Sequence, residues 1–210
     1  MDFLTALSSE RLTKYNAWSG GVTNDALRLY ALNVELSEAF YTPLHTLEIA
    51  LKNGVNGVLS ARYGDQWFDD ASVISDAYLK KKVSEAKRRF NSPPTNGQVV
   101  AELTFGFWTG LFSPKNNHLW ADLRPIFNAK GVQRKKVSKA LNETRKRLRN
   151  RIAHHEPIIQ YDLLAEHTKV REMLGWLSVD ALTWCDARCR VVAAHPTVPI
   201  IVGNLKHPSV

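Results

Sequence analysis

The chain has 210 residues, of which 44% are hydrophobic and 23% are charged, and its formal net charge at pH 7 is +8. This length suits a single domain with a sizeable core, and no run of about 18 apolar residues predicts a membrane span. The N-terminal segment MDFLTALSSERLTKY mixes acidic and polar residues with apolar ones, which argues against a secretory signal. The two cysteines predict no disulfide framework, so we expect a protein of the reducing cytoplasm.

The predicted elements are almost all helical. In chain order we expect a helical stretch over 25–59 that Pro43 kinks or divides, a basic helix over 75–90, an aromatic helix over 98–112, a short helix over 119–128, a basic helix over about 132–155 and one or two helices over 162–189. No strand alternation is present, and the proline-rich tail from residue 195 should be mostly coil, with a short strand as the alternative. The predicted class is all-α, with 1–210 as one domain.

The positive charge is concentrated in one segment. Between Arg134 and Arg151 the sequence has nine lysines or arginines and one acid, Glu143, while the rest of the chain holds nineteen residues of each sign. A cationic segment in an otherwise neutral chain indicates a polyanion partner such as RNA. Charge alone leaves open that this is a solvated basic helix face. The cations that we expect to bind RNA are Arg145, Lys146, Arg147 and Arg151.

The basic helix has a core-facing stripe. At about 100° per residue, four apolar side chains fall within a stripe roughly 60° wide: Val137, Leu141, Leu148 and Ile152. Asn150 and His154 are four residues apart and lie opposite that stripe, and Arg149 falls on a flank between the two sides. His155 lies over the stripe, near the end of the helix. Asn150 and His154 are therefore expected to face outward.

Three polar residues have two interpretations each. A histidine over an apolar stripe is typically buried and hydrogen-bonded, and this is the interpretation we favour for His155. Glu48 and Asn53 lie among leucines on the first long helix and are typical of buried hydrogen bonds to a neighbouring helix. In the functional interpretation, all three position the arginine and histidine of the basic helix.

Arg149, Asn150 and His154 combine side chains that can cleave RNA without a metal. The nucleophile would be the substrate's own 2′-OH, and a histidine can remove its proton or protonate the leaving oxygen. An arginine can bind the charge developing around the phosphorus through forked hydrogen bonds, and an amide can orient the histidine or a phosphate oxygen. Arg149 and His154 are about 140° apart around the helix, so two helices meeting across a symmetry axis would supply both. This predicts a homodimer.

The spacing of the histidines and cysteines does not favour a metal site. His154, His155 and Glu156 are adjacent and cannot all point at one ion from a helix. Cys185 and Cys189 are four residues apart, and the nearest histidine in the sequence is His195. We therefore expect no metal and no cofactor.

Two further groups also have two interpretations. The aromatic group could stack RNA bases, but its density is more typical of a core: Phe105, Phe107, Trp108 and Phe112. The basic residues of 80–82 and 87–89 either guide RNA or form a solvated face. Nothing in the basic helix has helix-turn-helix spacing, so DNA binding ranks low.

Three strings occur in order along the chain: LHTLEIALKNGVNGVL (44–59), ELTFGFWTGLF (102–112) and RNRIAHHEPI (149–158). The last is similar to the R-x4-6-H signature of HEPN-domain ribonucleases, and the three together resemble the Abi-like (abortive infection, AbiD/AbiF-type) branch of that superfamily over roughly 8–190. Lys52 stands where the family commonly has arginine, so a basic residue is retained.

The resemblance implies an all-helical HEPN-like bundle with extra N-terminal helices, dimerised with its motif helices facing each other. It implies metal-independent endoribonuclease activity in phage defence or toxin–antitoxin growth control, where an antitoxin would be a further partner. Arg149 and His154 would be catalytic and Asn150 would assist. The alternative is a non-catalytic RNA-binding or regulatory dimer module that uses the same basic helix.

Overall fold

The computed structural model describes residues 2–198, 200–202 and 205–206, and within them the chain folds into thirteen α-helices, which confirms the all-α class. The helices are α1 (Phe3–Leu7), α2 (Ser9–Trp18), α3 (Thr23–Ala39), α4 (Tyr41–Tyr63), α5 (Ala77–Lys87), α6 (Asn96–Glu102), α7 (Phe105–Gly110), α8 (Trp120–Leu123), α9 (Arg134–Thr144), α10 (Asn150–Ala153), α11 (Leu163–Leu177), α12 (Val179–Asp186) and α13 (Val191–Ala194). None of these helices is both long enough and apolar enough to cross a bilayer.

Short turns connect several of the helices. Three are 3₁₀ turns, at Trp67–Asp69, Pro114–Leu119 and Arg124–Ile126. A π-helical turn, Arg145–Arg149, joins α9 to α10 without a break. We call the continuous element 134–153 the motif helix. It is slightly shorter than the predicted 132–155.

Local sequence accounts for several of the helix boundaries. The predicted division of the long stretch falls at Phe40, and Pro43 lies in the first turn of α4, where proline removes no intrahelical hydrogen bond. Asp76 begins α5 by accepting hydrogen bonds from two backbone N–H groups. Thr95 and Gln98 form a capping box at the start of α6.

The core is built around α4, which packs against α7, α8, α11 and α12, while the motif helix packs through α9 against α7 and α11. The four aromatic residues of 105–112 are buried, so the core interpretation of that group is confirmed. Trp67 joins them, with its ring centroid 6.2 Å from that of Trp108. This aromatic group is therefore not available to stack RNA bases.

The tail follows the expected pattern in its described part. Residues 195–198 and 200 form no helix or strand, and β1 (Ile201–Val202) pairs antiparallel with β2 (Leu205–Lys206). The remainder of the predicted coil, residues 199, 203–204 and 207–210, lies outside the described residues.

Candidate functional site

A backbone motif closes the motif helix at the two histidines. The Glu156 N–H donates to the Arg151 carbonyl (2.7 Å) and the His155 N–H donates to the Ile152 carbonyl (3.0 Å), as in a Schellman cap. His155 has φ +55°, the left-handed position that glycine usually occupies. Pro157 follows and prevents continuation of the helix. The left-handed turn moves His155 off the apolar stripe and exposes it, so the buried interpretation was wrong.

Arg11 of α2 binds the C-terminal end of the motif helix. Its Nη1 donates to the carbonyl oxygens of His155 (2.5 Å) and His154 (3.3 Å). A cation at a helix C-terminus also interacts favourably with the helix dipole. The position of the histidine pair is thus set by contacts to their backbone, which leaves the imidazoles exposed.

Two arginines of the π turn contact different helices. A π turn accommodates an extra residue, which displaces the residues after it by about 100° relative to an ideal α-helix. Arg147 Nη1 donates to Glu166 Oε1 of α11 at 2.8 Å. Arg149 Nε donates to Glu48 Oε2 of α4 at 3.3 Å. The structure therefore brings Glu48 to Arg149, the contact expected if Glu48 positions the arginine.

A cleft of about 430 Å³ opens between α4 and the end of the motif helix. It is lined by Tyr41, Leu44, His45, Glu48, Ile49, Lys52, Arg149, Ile152 and Ala153. Its lining includes the Arg149–Glu48 pair and Lys52 beside apolar side chains. Such a mixture of apolar surface and a few convergent polar groups is typical of ligand sites.

Three lining residues were missed by the sequence interpretation. Tyr41 and His45 stack with ring centroids 5.6 Å apart and an interplanar angle of 22°, and Tyr41 is 67% exposed. Lys52 was noted only as a departure from the family string. The signal was available, because Tyr41, His45, Glu48 and Lys52 recur at the three- and four-residue spacing that places them on one face of α4.

His154 lies outside this cleft. Its side chain is exposed, as the sequence predicted, but only Arg149, Ile152 and Ala153 of the motif helix line the cavity. Asn150 is half-buried, and its carbonyl accepts the His154 N–H at 3.0 Å. One protomer therefore does not bring the predicted catalytic arginine and histidine into one cavity.

The remaining supporting residues do not approach Arg149. Asn53 is exposed on α4 and does not line the cleft, so neither the buried nor the positioning interpretation describes it. His155 lines a separate groove beside Tyr41 and Ile152. Of the three residues expected to support the site, Glu48 alone contacts a catalytic candidate through its side chain within the described part of the chain.

The four cations predicted to bind RNA differ in accessibility. Lys146 is exposed and forms no ion pair with any described residue. Arg145 is half-buried and donates to a neighbouring asparagine side chain at 3.2 Å. Arg147 is paired with a glutamate, and Arg151, whose side chain is 17% exposed, donates to the Pro157 carbonyl at 2.7 Å. Among these four, Lys146 is therefore the cation for which the described part of the chain supplies no partner.

The concentrated charge of the segment is largely neutralised by the fold. Five of its nine cations lie within 4.0 Å of a carboxylate: Lys136, Lys139, Arg147, Arg149 and Arg151. Arg134 and Arg145 instead donate to uncharged oxygens. The surface available to a polyanion is thus smaller than the sequence indicates.

The cysteines lie in a different part of the molecule. Cys185 is buried, and burial raises the pKa of its thiol to about 11, so it is not a thiolate at neutral pH. Cys189 Sγ lies 3.2 Å from His167 Nε2, a contact across 22 residues that sequence spacing did not reveal. Among the described residues, no group of three or more His, Cys, Asp or Glu side chains is arranged to hold a metal ion.

Comparison of the chain with known protein families, curated proteins and solved structures finds no match. The functional argument therefore depends on the cleft and on the residues of the motif helix. Two features matter most: a guanidinium held at the cleft wall, and an imidazole exposed beyond it.

Proposed function

We propose that the protein is a metal-independent endoribonuclease of the HEPN type, acting in the cytoplasm as a homodimer without a cofactor. The observation that carries the proposal is the placement of Arg149, whose guanidinium Glu48 holds at the wall of the cleft, a little over one turn before the exposed His154. An arginine that is oriented and still accessible can bind a phosphate through forked hydrogen bonds. The resemblance of 149–158 to Abi-like proteins points to the same two residues.

In the proposed reaction, the ribose 2′-oxygen attacks the adjacent phosphorus, so a 2′-O–P bond forms and the bond from phosphorus to the 5′-oxygen breaks. His154 removes the 2′-OH proton or donates a proton to the leaving 5′-oxygen. Arg149 stabilises the charge that develops on the non-bridging oxygens, and Asn150 orients the reacting groups. The products carry 2′,3′-cyclic phosphate and 5′-hydroxyl ends.

A second copy of the chain would complete this site. The cleft of one protomer contains Arg149, whereas His154 is exposed outside it. A two-fold axis near the ends of the motif helices would bring the partner subunit's His154 toward the first protomer's cleft, because a two-fold interface pairs the same surface of both subunits. Light scattering should therefore give the mass of a dimer.

A cleavage assay in EDTA tests the proposal. The wild-type protein should cut a labelled single-stranded RNA, and His154→Ala should not. His118→Ala is a matched control, because His118 is another exposed histidine and lies outside the cleft. The ends of the fragments should be a 2′,3′-cyclic phosphate and a 5′-hydroxyl, and an RNA with deoxyribose at the cut position should stay intact.

Three results would contradict the proposal. Cleavage that persists in His154→Ala, cleavage that EDTA abolishes, or a strict monomer that still cuts would each remove one of its premises. The strict monomer would exclude the shared site, because the histidine could not then come from a second chain.

The alternative is a non-catalytic RNA-binding or regulatory dimer module. The observation that favours it is the same separation of Arg149 from His154. The cavity of one protomer contains an arginine that can bind a phosphate, but it does not contain His154, the predicted general acid or base. In that case the wild type and His154→Ala should both leave RNA intact and bind it with equal affinity.

The resemblance extends the proposal to phage defence or toxin–antitoxin growth control, with an antitoxin as the partner that restrains the nuclease. Induced expression of the wild type should arrest bacterial growth, and expression of His154→Ala at the same level should not. Equal growth with both would argue against a toxic activity, while the cleavage assay would still decide the chemistry.

A further inference from the structure

The cleft combines two recognition chemistries in the lining of one small cavity. The rings of Tyr41 and His45, which both line it, stack on each other, and Tyr41 is largely exposed. On the wall, Arg149 and Lys52 supply two cations beside the single carboxylate of Glu48. An exposed aromatic pair next to cations is the arrangement that proteins use for unpaired nucleotides, because every base has a face for stacking and every nucleotide has a phosphate.

We propose that this cleft binds one unpaired nucleotide of single-stranded RNA, with its base against Tyr41 and His45 and its phosphate at Arg149 and Lys52. The proposal rests on the proposed function, for which it names the substrate class. The volume of about 430 Å³ falls in the usual range for small-molecule sites, so it suits one nucleotide and not a helix. The apolar lining would cover the sugar and the edge of the base.

The charge of the cavity favours a nucleotide over an apolar occupant. Because Glu48 neutralises one of the two cations, the wall keeps a net charge of about +1, which suits one phosphate. A purely apolar side chain from another protein would leave the Lys52 ammonium and the Arg149–Glu48 pair partly desolvated without new partners, which is unfavourable. A base in a duplex cannot reach the stack without unpairing, so the cleft should select loops and single strands.

Binding to an RNA that cannot be cut tests this inference separately from the nuclease proposal. A labelled single-stranded oligonucleotide with 2′-fluoro groups lacks the nucleophile, so its fluorescence anisotropy reports binding alone. Tyr41→Ala should weaken binding about tenfold or more, because stacking of one base is lost. Tyr41→Phe keeps the ring and should bind within about twofold of the wild type. Tyr78→Ala, which removes another exposed tyrosine outside the cleft, should bind as the wild type does.

Several outcomes would overturn the inference. Wild-type affinity in Tyr41→Ala, or equal affinity of the wild type for a blunt duplex, would show that no base stacks there. Micromolar binding of a mononucleotide, as tight as that of the oligonucleotide, would assign the cleft to a free nucleotide. Conversion of the Tyr41→Ala dimer to a monomer would place Tyr41 in the interface. Failure of the wild type to cut ordinary RNA would count against the proposed function alone, because the uncut oligonucleotide measures binding in either case.

Discussion

Arg147 and Arg149 are two residues apart in the π turn and each pairs with a glutamate, yet their surroundings differ. The Arg147–Glu166 distance is 2.8 Å and the side chains are 43% and 3% exposed, whereas the Arg149–Glu48 distance is 3.3 Å and the side chains are 33% and 23% exposed. The carboxylate is therefore the buried partner of the first pair, while both partners of the second are partly solvated. Tyr161 adds a ring centroid 5.7 Å from Arg147 Cζ. The first pair faces α11 and the second faces the open cleft.

The difference shows that one turn serves two purposes. On the buried side, a charged pair joins the motif helix to α11, and removal of Arg147 would leave the buried Glu166 carboxylate with one cation fewer. On the open side, both partners are partly solvated, so the pair contributes little to stability, and the arginine lines a cleft that a ligand can enter. The two arginines should therefore respond in opposite ways to substitution.

The largest expected effect is the loss of cleavage in Arg149→Met. Methionine keeps a side chain of similar length without the charge, and the rate constant should fall by about 100- to 1000-fold, because a group that stabilises developing charge is lost. The free energy of unfolding should change by less than about 1 kcal/mol, since both partners of the ion pair are partly solvated. Single-turnover cleavage and urea denaturation measure the two quantities.

Glu48→Gln sharpens the same test. It keeps an acceptor for Arg149 but removes the charge that orients it, so we expect a smaller loss of cleavage than in Arg149→Met and an equally small change in stability. If Arg149→Met instead lowers the free energy of unfolding as much as a substitution in the core does, then Arg149 has a structural role. The contrast between the Arg147 and Arg149 sides of the turn would then disappear.

The next effect is on stability, in Arg147→Met. This change leaves the buried Glu166 carboxylate with Lys169 alone, at 2.8 Å, and should lower the free energy of unfolding by about 2–3 kcal/mol. Glu166→Gln should cost less, because the Arg147 side chain is 43% exposed and can be rehydrated. Urea denaturation of both variants measures the asymmetry, and equal costs would show that the pair behaves as a surface pair.

Periodicity explains what the sequence predicted well. The apolar spacing of the motif helix identified Val137, Leu141 and Leu148, which are all buried. A glutamate among leucines was recognised as unusual, and it does contact Arg149. These features depend on local spacing and on the cost of placing a polar group near a core, both of which can be read along the chain.

The features that the sequence did not predict depend on contacts between distant segments or on local departures from ideal helix geometry. Carboxylates from α4 and α11 neutralise the cationic segment, and no local pattern places Glu48 or Glu166 beside it. The π turn cannot be recognised from hydrophobic spacing, because an ideal wheel assumes about 100° for every residue. The left-handed His155 was missed because its neighbours predicted only where the helix would end.

A pH-dependent effect sharpens the description of the buried side. Burial, followed by the charge of Arg171, lowers the pKa of His167 on α11 below its ordinary value of 6.5, while Asp186 opposes the shift. As the pH falls from about 7 to 5, the unfolded chain gains a proton that the folded chain resists, so stability falls. His167→Gln should flatten this dependence in urea denaturation. If the free energy of unfolding depends on pH in the same way in His167→Gln as in the wild type, then other groups cause the dependence.

The smallest expected effect concerns the turn that ends the motif helix. A residue other than glycine at φ +55° costs about 1 kcal/mol, and the greater entropy of the unfolded glycine offsets about 0.5–1 kcal/mol of this, so His155→Gly should raise the free energy of unfolding by at most about 0.5 kcal/mol. His154→Gly is the matched control, and it should not stabilise, because His154 has φ −101° and gains nothing from glycine. If His155→Gly instead destabilises the protein, the imidazole contributes contacts in the groove beside Tyr41 that outweigh the strain. The surface beside the cleft would then be more tightly packed than the partial exposure of Arg149 indicates.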